Sequence, residues 1–163
     1  MTERQVVSIR EAEAAAKSRL VAIRLASLTL RCMENWRRIA GGYDETMILL
    51  SVVAIIAERL LRTELPDEFK SLSNPIPTED FARCSIASIA VATGLNRETV
   101  RRKLERLIDS GFLVRLEDGS VIFAPGVLQD QQMLDLIRSQ LDSFRQLTES
   151  LLHEKVFELV ARP

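Results

Sequence analysis

"GLNRETVRRKLERLIDSGFL", Gly94–Leu113, is the stretch on which the reading of this chain turns. It carries five bases, Arg97, Arg101, Arg102, Lys103 and Arg106, in a chain of 163 residues whose formal net charge is −1. Laid out at about 100° per residue, Val100, Leu104, Leu107 and Ile108 share one face. Glu98, Arg102, Glu105 and Asp109 fall opposite, with Arg97 and Arg101 on one flank and Lys103 and Arg106 on the other. The pattern predicts a helix over Arg97–Ser110, capped by Asn96 and ended by Gly111. Its bases crowd the N-terminal half, against the helix dipole, which favours acids there. A purely structural helix gains nothing from that order. A helix whose N-terminal half enters a DNA groove does. The plainer alternative is a solvated face braced by pairs such as Glu98 with Arg102.

The neighbouring sequence favours the groove. Ser85 can cap a short helix over Ile86–Thr93, which Gly94 ends. Ala90 is small where two helices must touch, and Leu95 can plug the space between them. Downstream, "FLVRLEDGSVIFAP" reads as a hairpin, with strands Phe112–Leu116 and Val121–Ala124 around an Asp118-Gly119 turn. Upstream, "SIRE" at Ser8–Glu11 reads as a capping box opening a long helix to about Ala40. Asp44 is expected to cap a second helix, Glu45–Arg62, whose apolar "MILLSVVAIIAERLL" belongs at the centre of the core. "TELPDEFKSLSNPIPTEDFA" reads as a loop with one helical turn around Asp67–Leu72, and Ala82–Cys84 as a short extended segment. A last helix is predicted from about Val127 to Val160. The expected fold is mainly α: a winged helix-turn-helix with a small β-hairpin wing and long N- and C-terminal helices. Its expected parts are an N-terminal dimerisation segment at 1–43, a DNA-binding domain at 44–126 and a C-terminal dimerisation helix at 127–163.

Other functions find little support. His153 is the single histidine, in the polar stretch "SLLHEK" where a surface residue is expected, and neither an enzyme, a metal nor a cofactor is expected. Gly41-Gly42 does not belong to a phosphate loop. Cys32 and Cys84 lie far apart, which suits a reducing compartment. Cys32 is a candidate redox sensor, set against the commoner inert thiol. The N-terminal residues lack the pattern of a signal peptide, and the apolar run Met47–Ala57 is too short to span a bilayer. A cytoplasmic protein without membrane contact is expected.

"IASIAVATGLNRETVRRKLERLIDSGFLVR" resembles the DNA-binding domain of the cyclic-AMP receptor (catabolite activator) family. It also looks like the winged domains of the isocitrate-lyase regulator and multiple-antibiotic-resistance regulator (MarR-like) families. The nearest match to the first is Gly94, Arg97, Glu98, Thr99, Val100 and Arg102. The resemblance covers about Ser85–Ala124. It implies that Arg97, Glu98 and Arg102 read base edges, which suits Arg against guanine and Glu against the cytosine amino group. Ser85, Asn96, Thr99, Arg101, Lys103, Arg106 and Arg115 would then be phosphate contacts. Lys103 departs from the family pattern, which has an apolar residue there. No cyclic-nucleotide domain precedes the motif, and the layout of terminal helices is closer to the MarR-like dimers.

These resemblances imply a bacterial-type transcriptional regulator, a homodimer on a roughly palindromic duplex, with its long terminal helices buried between subunits. The wing tip bears Glu117 and Asp118, which phosphate would repel, so the wing is expected to brush the duplex or miss it. A small-molecule effector is a further possibility, with Met33, Trp36 and Phe144 as candidate pocket walls, set against ordinary core packing. The rival function is a winged helix used as a protein-interaction module without specific DNA binding.

Overall fold

The computed structural model describes residues 5–62, 65–77 and 82–161, with the side chains of 59–62 excepted. The protein is mainly helical. Its chain divides into two compact units, one of Trp36–Leu136 and the other of Met1–Asn35 with Ile137–Pro163.

The Trp36–Leu136 unit follows the sequence closely. Helix α3 (Tyr43–Arg62) places Ile48, Leu49, Val52 and Ile56 in the core. It starts two residues before the expected Glu45. Asp44 therefore sits inside the first turn rather than at the cap, and the Gly42 carbonyl accepts from the Thr46 amide at 2.9 Å. One short 3-10 turn (Asp67–Phe69) interrupts the loop that follows. Of that loop, Thr63, Glu64 and Thr78–Phe81 lie outside the described residues.

Helix α4 (Ile86–Thr93) is capped by Ser85, whose hydroxyl accepts from the Ser88 amide at 3.0 Å while the Ser88 hydroxyl accepts from the Ser85 amide. Gly94 ends it in the left-handed region, at φ 72°, where a side chain would be strained. Helix α5 (Arg97–Asp109) starts at the Asn96 cap, which accepts from the Thr99 amide at 2.7 Å. Val100, Leu104 and Leu107 are buried, and Ala90 and Leu95 pack against the same core. Strands β2 (Leu113–Arg115) and β3 (Val121–Phe123) form an antiparallel hairpin. Cys84 extends it: its amide and carbonyl both bond Val121, at 3.1 and 2.9 Å. Burial pushes the Cys84 thiol up to about 11, so it stays protonated and inert.

The terminal unit departs from expectation at both ends. Gln5–Ile9 is a strand, β1, so Ser8 caps nothing. The first helix is split in two, α1 (Glu11–Ala16) and α2 (Ser18–Ala40), and the residue before α1, Arg10, makes no side-chain cap. The last helix, α6, covers Gln131–His153, after a 3-10 turn at Val127–Gln129. Residues Phe157–Ala161, expected up to Val160 as its final turn, form strand β4 antiparallel to β1, with Val7 opposite Leu159 and Ile9 opposite Phe157. The β-branched run "QVVSI" suits a strand once a partner is present. Arg10 continues the pairing by donating to the Val156 carbonyl at 2.9 Å. Helices α2 and α6 are linked by Asn35 with Ser139 at 3.0 Å and Arg31 with Gln146 at 3.2 Å.

What ends α6 is local. The Val156 amide bonds the Leu151 carbonyl and the Lys155 amide bonds the Leu152 carbonyl, the paired closure that needs a left-handed residue. Lys155 takes that role at φ 59°. Lys155→Gly is therefore expected to stabilise the protein by about 0.5–1 kcal/mol. Urea unfolding followed by circular dichroism measures it, and a lower midpoint for the variant would refute the account.

Candidate nucleic-acid interface

Helix α5 sets the site. Its apolar face is sunk against α3, so its remaining faces divide into a rim beside α3 and an outward side. Arg97, Arg101 and Arg102 are exposed, at the end where the turn from α4 enters. Among the described residues, neither Arg97 nor Arg102 makes a side-chain hydrogen bond or ion pair. Arg101 is held differently, with its guanidinium clasping Glu98 at 2.7 Å and 3.1 Å. Hydrogen bonding and charge from Arg101, with a smaller contribution from Arg102, hold the Glu98 carboxyl below its usual range. Two residues given opposite roles by the sequence, a base reader and a phosphate contact, are thus brought together as one pair.

The other expected phosphate contacts are also engaged. Lys103 turns inward. Its side chain is 14% exposed, and its ammonium donates to Glu45 at 2.9 and 3.1 Å and meets Asp44 at 3.3 Å. Arg106, more exposed, reaches the same Glu45 carboxylate at 3.5 Å. Arg115 bonds Glu105 at 2.6 Å and the Gly119 carbonyl at 3.3 Å. The hydroxyl of Ser85 and the amide oxygen of Asn96 are committed to their helix caps. Thr99 is half-buried on α5.

A cleft of about 530 Å³ opens beside Arg97, lined also by Arg83, Ser85, Asp118 and Gly119. Arg83 was not anticipated. It lies in an irregular segment without periodicity, and only the Cys84–Val121 bridge carries it to the hairpin tip. There it meets Asp118 at 2.7 Å. The Ser120 hydroxyl, Arg83 and the Ser120 amide draw the Asp118 carboxyl down to about 2. Half of the acidity at the hairpin tip is thereby offset, which leaves Glu117 as its acid without an ion pair among the described residues. Of the expected pocket walls, Trp36 packs against the core of its own unit, Met33 is half-buried on α2, and Phe144 is exposed on α6.

No family model matches the chain, and no curated protein and no solved structure matches it. Among the described residues no single helix is long and apolar enough to cross a membrane.

Glu45 is buried at the start of α3, and burial alone would raise its carboxyl. The Lys103 hydrogen bonds, its own backbone amide, and the charges of Lys103 and Arg106 outweigh that, so it lies below the usual carboxylate value. A depressed carboxyl contributes stability that is complete above its unfolded value and lost as pH falls through the folded one. Glu45→Ala leaves Lys103 with Asp44 as its one carboxylate and removes the partner of Arg106, and is expected to cost about 1–3 kcal/mol at pH 7. The difference from the native chain should shrink as pH drops below about 4. Urea titrations at pH 7 and pH 3.5 measure both, and a cost independent of pH would refute the ionic account.

Proposed function

We propose that the Trp36–Leu136 unit is a winged helix-turn-helix that binds double-stranded DNA, and that the protein is a bacterial-type, cytoplasmic transcriptional regulator acting as a homodimer. The observation that carries this reading is the state of Arg97 and Arg102. Both are exposed at the N-terminal half of α5, and neither has a protein partner among the described residues. Guanidinium groups held on a rigid helix without a counter-charge suit bidentate contact with guanine edges. The Asn96 cap and the neighbouring Arg101–Glu98 pair would lie along the backbone, where Arg101 could exchange its carboxylate for a phosphate.

The homodimer draws support from α6. Ile137, Leu141 and Phe144 recur at spacings of four and three, and are 40%, 65% and 53% exposed. That stripe is a helix seam without a partner in one subunit. Leu141→Glu is expected to yield a monomer by sedimentation velocity, and an unchanged mass would remove α6 from the interface.

The ion pairs support the rival reading. Arg101, Lys103, Arg106 and Arg115 all face carboxylates, so the interface offers less free positive charge than its composition suggests. A protein-interaction module would need no more. Selection of duplexes from a random pool, at low and physiological salt, separates the two. A palindrome recovered at both salts supports the regulator. Recovery at low salt alone, without a motif, favours the module. On a recovered site, Arg102→Ala should cost about 1–3 kcal/mol and relax one base position. An equal loss on all sequences would assign Arg102 to phosphate instead.

A further inference from the structure

The terminal unit contains a cleft of about 350 Å³ between α2 and α6. That is enough for a small organic ligand. Leu20, Leu28 and Leu147 supply apolar lining, and the charged groups are Arg24 and Arg31. No Asp or Glu lines it among the described residues. The two arginines are seven residues apart on α2, about two turns, and so share a face. Arg31 donates to the Gln146 side-chain oxygen at 3.2 Å, a neutral acceptor. Asp142, on the same stretch of α6, is taken by Arg145 at 2.6 and 3.1 Å.

Arg24 is the telling residue: half-buried as a residue, it has an Nε that is covered and without a hydrogen-bond partner among the described residues, so its guanidinium would meet a ligand by turning into the cleft. A buried N–H without an acceptor is costly, and a guanidinium cannot shed its proton to escape. The cleft therefore combines two guanidinium groups, an unsatisfied donor and an apolar lining; the nearest carboxylate that acts on it, Asp142, reaches Arg31 only through space and is itself held by Arg145.

We propose that this cleft binds an amphiphilic organic monoanion, with its carboxylate between Arg24 and Arg31 and a short hydrocarbon body against the leucines. Arg is suited to this because its fork meets both oxygens of one carboxylate. A bare inorganic anion would leave the leucines unused, and a neutral lipid would leave Arg24 unsatisfied. The site lies wholly within the terminal unit and does not depend on DNA binding.

The test is calorimetric titration of octanoate into the full chain, with octan-1-ol as the uncharged control and thermal unfolding of each form. Octanoate is expected to bind and raise Tm, and octan-1-ol to bind at least about tenfold more weakly. Arg24→Met keeps the stem and removes the donors. It should weaken octanoate at least about tenfold while the ligand-free variant melts no lower than the native chain. Arg31→Gln, on an exposed residue, should weaken octanoate without changing the ligand-free Tm. Equal binding of acid and alcohol would overturn the proposal, as would an Arg24→Met variant that loses stability yet still binds octanoate. Failure of octanoate to bind would overturn it too, and if Arg24→Met also dissociated an oligomer, the missing acceptor would belong to a second copy of the chain.

Discussion

The orientation of α5 about its own axis decides what this protein can present to a partner. Two constraints fix it. Val100, Leu104 and Leu107 are sunk into the core beneath α3, and Lys103, on the rim of that face, is captured by the buried carboxylate of Glu45. The apolar contacts supply most of the stabilisation but tolerate small rotations, since side chains repack. The ion pair does not, because a turn of the helix would leave Glu45 buried without its cation. Lys103 thus fixes the rim of the α3-facing side by electrostatic means, where the neighbouring positions do so by apolar packing.

The same arrangement explains how a chain of net charge −1 can carry a basic helix. Three of its five bases are neutralised locally, Arg101 by Glu98 and both Lys103 and Arg106 by Glu45. The exposed pairs among them contribute little stability, unlike the buried one at Glu45. Their consequence is for the field: they lower the long-range attraction of the face while leaving Arg97 and Arg102 unengaged. On the proposed reading, a surface so built would associate weakly with phosphate in general and depend on contacts made at short range. That balance favours discrimination over avidity, since steering by net charge is sequence-blind.

The central half of the fold was legible because its signals are local. Caps at Ser85 and Asn96, the left-handed Gly94 and the face of α5 are all written within a few residues of where they act. The termini were not. Strand β1 pairs with β4 across nearly the whole chain, as in Gln5 with Ala161, and no window of sequence contains both. Read alone, "SIRE" is a good helix cap and "VFELV" a plausible last turn. Tertiary pairing overrides both, as it does for short β-branched runs. Arg83 escaped notice for the same reason, since it reaches Asp118 only through the Cys84–Val121 bridge. The inward turn of Lys103 was half legible: its place on the α3-facing flank could be read, but not the buried acid awaiting it.

Lys103 and Arg24 show what a half-buried cation means in the two units. Lys103 meets two carboxylates, and its burial is explained by its partners in the chain. Among the described residues Arg24 meets none that satisfies its Nε, and no acid lines the cleft beside it. A lysine there could extend its flexible stem towards water or lose its proton, and a methionine would fill the volume at no electrostatic cost. Arginine is the residue least able to adapt to being left unpaired. Its presence is consistent with an acceptor that is not part of the single folded chain, and the lining of the cleft, charged on one helix and apolar around it, describes the chemistry such an acceptor would have.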